Sequence, residues 1–294
     1  MIVALLTWPA VALAADLLSV FEWDRPEDYF GGVSAIEVTE DGTGFLAVAD
    51  SAQVMRGRIE RDAEGRITGM ALDGPIGGLA GPDGVPLWRR GDRSLMDSEG
   101  VAVLPDGRFA VSFEGEGTAR VWLYDPAATD GGPAEPLPDH PDFPRLQTNS
   151  ALEALAADAQ GRLWAIPERS GALDRPFPVY RYADGAWTVP LSLPRRGRFL
   201  PVGADFDDRG RLYLLERDFR GLLGFQSRVR RFTFDGDAIA EEETLLSTLP
   251  RQRDNLEGIA VWRDAGGALR MTMVSDDNNS FLQTTEVVEY RLTD

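Results

Sequence analysis

The acidic side chains of this sequence recur at regular spacing. Glu99-Gly100-Val101-Ala102-Val103 reappears as Glu153-Ala154-Leu155-Ala156-Ala157 and again as Glu257-Gly258-Ile259-Ala260-Val261. Each copy is followed by a glycine turn and a second apolar run that ends on another carboxylate, Glu114, Glu168 or Asp276. A related copy runs from Asp205 through Gly210 to Glu216, and a weaker one has Ser34 and then Asp50 in the two positions. Carboxylates brought this close raise one another's pKa unless something compensates. A hard divalent cation is one compensation, because Ca²⁺ accepts Asp, Glu, Asn and backbone oxygens in flexible geometry. The candidate ligands are Glu99, Glu153, Asp205, Glu257 and Asp276, with Asn149 and Asn255 beside them. Arginine is the other compensation. Arg169 and Arg217 directly follow Glu168 and Glu216, and their planar forks suit carboxylate or phosphate.

Other chemistries drop out. There is no cysteine, so neither a thiolate nucleophile nor a thiolate metal site exists. The single histidine, His140, lies in the proline-flanked run Pro138-Asp139-His140-Pro141 and reads as a loop residue. No Gly-x-Ser-x-Gly elbow occurs, and the pairs Gly31-Gly32 and Gly77-Gly78 lack the context of a nucleotide loop. Any catalysis therefore falls to carboxylates, a metal and arginines. Glu153, Glu257 and Asp276 are the candidate catalytic groups, and Arg169 and Arg217 the candidate substrate ligands. A structural role fits the same pattern: a repeated Glu at a strand start can tie neighbouring units together by accepting backbone N–H bonds.

The elements that must hold these groups follow from the period. Anchors at 99, 153, 205 and 257 are 54, 52 and 52 residues apart, which is room for four strands each. In the fourth copy these fall at 202–206, 211–215, 227–234 and 238–246, with Asp-Gly or Arg-Gly turns between runs. Four-stranded units repeated at this spacing predict an all-β propeller. Five blades are favoured; six would require an irregular blade hidden between the first and second copies. The tail after Glu257 holds about three strands, ending near 286–292, so a strand at 17–23 is expected to complete the last blade and close the ring. Each first strand starts at one channel mouth and each second strand returns there, which predicts a crown of carboxylates around one opening. The Gly- and Pro-rich stretches 73–92 and 129–147 read as long loops.

Composition sets the setting. At 294 residues, one propeller domain over 15–294 uses the chain after an apolar segment 1–14, which ends Ala12-Leu13-Ala14 like a signal peptide and is too short to span a bilayer. Export with no cysteine leaves packing and closure to hold the fold. The formal charge is −18, and every basic residue is Arg. That balance excludes nucleic acid and argues against an anionic membrane as partner. It suits a monomer in the periplasm or outside the cell, with no membrane insertion.

Several motifs carry a family resemblance: Phe30-Gly31-Gly32-Val33-Ser34, Asp97-Ser98-Glu99-Gly100, Leu152-Glu153-Ala154-Leu155 after Asn149, Leu215-Glu216-Arg217, Asn255-Leu256-Glu257-Gly258-Ile259, and Ser275-Asp276-Asp277-Asn278. Together they resemble the secreted bacterial proteins called phytase-like, or "esterase-like activity of phytase". The resemblance implies a propeller that hydrolyses phosphate esters or other esters, with Ca²⁺ bridging carboxylates and a small anionic ester substrate. Two other readings stay open. One is a metal-dependent lactonase or carboxylesterase using a set such as Glu153, Asn255 and Asp276. The other is a non-catalytic propeller that binds a ligand or another periplasmic protein across its mouth.

Overall fold

The computed structural model describes residues 14–27, 29–115, 119–126, 132–148, 150–280 and 282–293. Its strands form five four-stranded antiparallel sheets in a ring, a five-bladed β-propeller. Blade 1 comprises Val33–Val38, Gly44–Ala49, Gln53–Arg61 and Ile67–Leu72; blade 2 comprises Ser98–Val103, Phe109–Phe113, Arg120–Tyr124 and Glu135–Pro136. Blade 3 is built from Ala154–Ala157, Leu163–Ile166, Phe177–Ala183 and Ala186–Leu193. Blade 4 is built from Leu200–Phe206, Leu212–Phe219, Phe225–Asp235 and Ala238–Ser247. Blade 5 takes Asn255–Arg263, Leu269–Asp276 and Glu286–Leu292, and its outer strand, Ala15–Glu22, comes from the start of the chain.

That closure matches the expected one. Ala15 pairs with Leu292 and Glu22 with Glu286, so the two chain ends form one hydrogen-bonded ladder. The strand starts directly after Ala14; the rest of the expected signal segment lies outside the described residues. No helix among the described residues is long and apolar enough to cross a membrane. The stretch 73–92, expected as a loop, adds the two-residue strand Gly77–Gly78 to the third strand of blade 1 and a short 3-10 turn at Leu87–Arg90.

The apolar core is divided into five clusters, one per seam between neighbouring blades. Tyr213, Leu215, Leu256 and Met271 fill the seam between blades 4 and 5, and Ile36, Phe45, Val274 and Val287 fill that between blades 5 and 1. Blades 1 and 2, 2 and 3, and 3 and 4 are joined the same way. Each fully buried large side chain contributes roughly 1.5–3 kcal/mol, so the seams hold the ring without a disulfide.

The first strands line the channel and set its geometry. In four blades one extra residue bulges out of this strand's pairing with the second: Ser34, Glu99 with Gly100, Val202 and Glu257. A bulge bends the strand and re-aims a side chain, here at the mouth. The glycine after it permits close approach between blades. A Cβ on Gly203 would lie 2.3 Å from the Glu257 carbonyl, and one on Gly258 would lie 2.8 Å from the Ile36 nitrogen. Ile36, Val101, Leu155, Val202 and Ile259 narrow the channel below the mouth.

Candidate active site

Start of first strand and end of second strand meet at the same mouth in every blade. Backbone bonds record it: Asp50 N–H to Gly32, Glu114 N–H to Asp97, Glu168 N–H to Ala151, and the pairing of Asn255 with Asp276. The bulge supplies Glu99 and Glu257, the residue before the blade 3 strand supplies Glu153, and the second strands deliver Asp50, Glu114, Glu168 and Asp276. The densest part is a trio. Carboxylate oxygens of Asp97, Glu99 and Glu114 all lie within 4.8 Å of one another.

These groups have few cationic partners. The carboxyls of Asp97 and Glu99 lie beside each other, as do those of Glu114 and Glu153. Burial, followed by the charges of Glu114 and Asp97, holds Glu99 well above the usual carboxylate range. Burial, then Glu99, Glu114 and Glu168, does the same to Glu153. Burial pushes Glu114 up to about 7, and burial with the charge of Glu257 pushes Asp276 up to about 8. Asp50 rises to about 6, from burial and then from Asp97 and Glu257.

Arg217 is the cation set among them. Its Nη1 donates to Asn255 Oδ1 at 2.8 Å and to Glu257, and its Nη2 donates to Glu168 Oε1 at 3.1 Å. Burial acts to lower its pKa, but Glu257, Glu153 and Glu168 reverse that and keep it charged. Asn255 Nδ2 also donates to Glu257 Oε1, at 2.9 Å, which fixes that carboxylate's orientation. On the other side, Asp276 Oδ1 accepts the Asn278 N–H at 2.7 Å, and Asp277 Oδ1 accepts the Gly32 N–H at 2.9 Å. The motif Ser275-Asp276-Asp277-Asn278 thus seals blade 5 to blade 1 while turning Asp276 into the mouth.

The structure brings Glu99, Glu153, Glu257, Asp276 and Asn255 together, and it places Arg169 on the rim, 3.4 Å from Glu168. Asn149 lies outside the described residues. Two sequence expectations need correction. Asp205 does not join the mouth. The bulge puts Val202-Gly203 where the other blades have Glu99-Gly100 and Glu257-Gly258, so Asp205 sits three residues farther along its strand. There it accepts the backbone N–H groups of Val261 and Phe206. Glu37 holds the equivalent place in blade 1 and accepts the Val103 N–H at 3.1 Å. Both are staples between first strands. Arg217, expected to grip substrate, instead directs its donors at Glu168, Asn255 and Glu257.

Two ligand candidates were not singled out from the sequence. Asp97 precedes its strand, two residues before Glu99, and Glu114 closes the second strand. The signal was present in Asp97-Ser98-Glu99, since alternation along an extended segment puts residues two apart on one side. Glu216, at the matching position in blade 4, is fully neutralised. Arg230 grips both its oxygens at 2.8 and 2.6 Å, and Arg228 adds a bond at 2.7 Å.

The oxygen-only trio fits a hard cation such as Ca²⁺ and offers nothing that favours a soft one. The family model described as phytase-like, esterase-like activity of phytase, matches residues 28–279. No curated protein matches the chain. Similar solved structures include an exo-β-1,3-galactanase from Clostridium thermocellum, with TM-score 0.58 and 11% identity over 95% of this chain and 62% of that one. A glucose dehydrogenase has TM-score 0.50 and 12% identity over 92% and 98% of the two chains. A gluconolactonase from Xanthomonas campestris has TM-score 0.42 and 14% identity over 88% and 72%. At such identities the likeness is one of fold.

Proposed function

Because this chain belongs to the phytase-like family, we propose that it is a divalent-cation-dependent hydrolase of phosphate monoesters that works at the carboxylate mouth. The observation that carries the reading is the Asp97–Glu99–Glu114 trio, whose oxygens lie within 4.8 Å of one another and in which burial and neighbouring carboxylates hold Glu99 and Glu114 above the usual range. Those three residues would hold a Ca²⁺ ion, which, when bound, polarises a phosphoryl oxygen and acidifies a water.

The chain's own residues supply the rest. Glu153, Glu257 and Asp276 surround the trio and are the groups to accept a proton from water and return one to the leaving oxygen. Arg217 keeps Glu257 oriented through Asn255, and Arg169 on the rim meets the incoming phosphate. The clustered carboxylates of the mouth repel a phosphate at close range, so a cation there is needed to reverse the local sign. Export to the periplasm or beyond is part of this reading: the closing strand begins at Ala15, the residue after the expected cleavage point.

The test is turnover of p-nitrophenyl phosphate by metal-stripped protein, with and without added calcium. Calcium-dependent hydrolysis that disappears in the double variant Glu99→Gln, Glu114→Gln supports the reading. No turnover by calcium-loaded protein, alongside turnover of a lactone or carboxylic ester, moves the substrate class. No turnover of any of them leaves a binding propeller.

A further inference from the structure

The most exposed large hydrophobic side chains are not spread evenly over the disc. Among the described residues, Leu222 is 92% exposed, Leu282 80%, Leu173 72%, Leu249 71%, Leu223 61%, and Phe219 and Tyr29 58% each. All seven lie in or border connections between second and third strands or between one blade and the next, and those connections open at the mouth face. None of the turns on the opposite face contributes a large hydrophobic so exposed.

Most of them gather at one corner, over blades 3 and 4, and arginines accompany them. Arg195, Arg196 and Arg198 lead into blade 4, Arg220 sits in its mouth-face loop, and Arg251 and Arg253 lead out of it. The loops are packed together: Arg251 N–H donates to the Phe225 carbonyl at 2.9 Å, and a Cβ on Gly224 would meet Arg251 Cγ at 2.7 Å. Positive charge is in excess here. Arg198 and Arg220 share the one buried carboxylate of Asp218, at 3.5 and 3.0 Å, and Arg196 pairs with Glu242. Among the described residues, Arg195, Arg251 and Arg253 have no carboxylate at ion-pairing distance. An open cavity of about 400 Å³ lined by Arg198, Phe219, Arg220 and Gly221 lies in the same corner.

We propose that this corner docks on an anionic phospholipid surface, with Leu222, Leu223 and Leu249 entering the headgroup layer and the arginines meeting lipid phosphates. Several loops on two blades present apolar tips and cations side by side, which suits an extended surface more than one small ligand. Apolar burial and electrostatic attraction together form the two-part signal that reversible membrane attachment needs. The overall charge of −18 opposes approach, but screening confines that repulsion to roughly 8 Å at physiological salt. The carboxylate mouth, on the same face, is then turned toward the membrane. This inference does not depend on what reaction the mouth performs.

Co-sedimentation of the full chain with vesicles tests it, in chelator so that calcium bridging plays no part. The chain should bind phosphatidylglycerol vesicles and leave phosphatidylcholine vesicles, with binding lost at high salt. Leu222→Ser with Leu223→Ser, and separately Arg195→Gln with Arg251→Gln, should each weaken binding about tenfold at unchanged melting temperature. Arg66→Gln on the opposite face should bind as the parent does. Absence of binding, equal binding to both lipids, or parent-like binding by both double variants overturns the proposal; the first outcome points to an acidic protein as the occupant.

Discussion

In the Asp turns of the face away from the mouth, carboxylates have donors at hand; at the mouth they have mainly one another. Asp158 Oδ1 accepts the N–H groups of Gln160 and Arg162, while its Oδ2 takes Arg162 Nε at 2.6 Å and Trp164 Nε1 at 2.9 Å. Asp207 repeats this with Arg209, Arg211 and Tyr213, and Asp264 with Gly266, Ala268 and Arg270. The Asp-x-x-Gly turn is thus a self-contained anion site, built by its own backbone and the arginine or aromatic that follows. Hydrogen bonds lower the pKa of Asp41 and Asp106 on this face. The mouth has carboxylates at equivalent repeat positions but lacks such donors, and its pKa values move the other way. The same residue type therefore stabilises one face and strains the other, and the strained face is the one with capacity for a cation.

The broadest way to break this contrast is pH. In metal-free protein the folded state holds protons that the unfolded chain, with carboxylates near 4, releases. With Asp50 at about 6, Glu114 at about 7 and Asp276 at about 8, stability is full below about pH 4 as far as these groups go and falls as pH rises to about 8. Each unit by which a folded pKa exceeds the unfolded one corresponds to about 1.4 kcal/mol, so the loss is the largest of the effects expected here and is read by urea unfolding. A curve that is flat or rises over that window would show that the mouth is already compensated.

Next in size is the neutralised exception at the mouth. Arg230→Met leaves Glu216 short of its main partner in a buried site, and should cost about 3–5 kcal/mol; a cost below about 1 kcal/mol would mean that Arg228 suffices. Calcium comes third. At a hundredfold excess over its dissociation constant it should add about 2.7 kcal/mol, a rise in Tm of about 4–5 °C for a chain of this size. Glu99→Gln with Glu114→Gln should abolish that rise in calorimetry and leave the metal-free protein as stable or more so. The smallest effect lies opposite. Asp207→Ala should cost about 2 kcal/mol through lost hydrogen bonds, by the same amount with and without calcium, and a calcium-dependent cost would place Asp207 in contact with the mouth after all.

Much of the architecture was legible because it is written in repeats. Steps of 54, 52 and 52 residues favoured five blades over six, and a tail one strand short predicted that a strand at 17–23 pairs with one near 286–292, where the structure has Ala15–Glu22 beside Glu286–Leu292. The site was legible where a Glu precedes a small residue at the bulge, as in Glu99-Gly100, Glu153-Ala154 and Glu257-Gly258. It was misread in blade 4, because counting back from the turn at Gly210 selects Asp205, whereas the close approach between blades is made by Gly203. Which glycine sets the register depends on contacts with the neighbouring blade, and those are not local. Arg217 was recognised as important but given the wrong partner, since Glu168 and Glu257 lie 49 and 40 residues away in sequence.

The ladder that closes the ring has Ala15 opposite Leu292 and Glu22 opposite Glu286. Both ends of the described chain leave it at the same point. Tension applied between them would load the hydrogen bonds one pair at a time, as in a zipper, instead of sharing the load along the strand. Blade 5 should therefore peel open at low force, whereas traction on two points within blade 3 must shear a sheet whose strands are joined by short loops. The seam that makes the disc thermodynamically complete is also its point of least mechanical resistance.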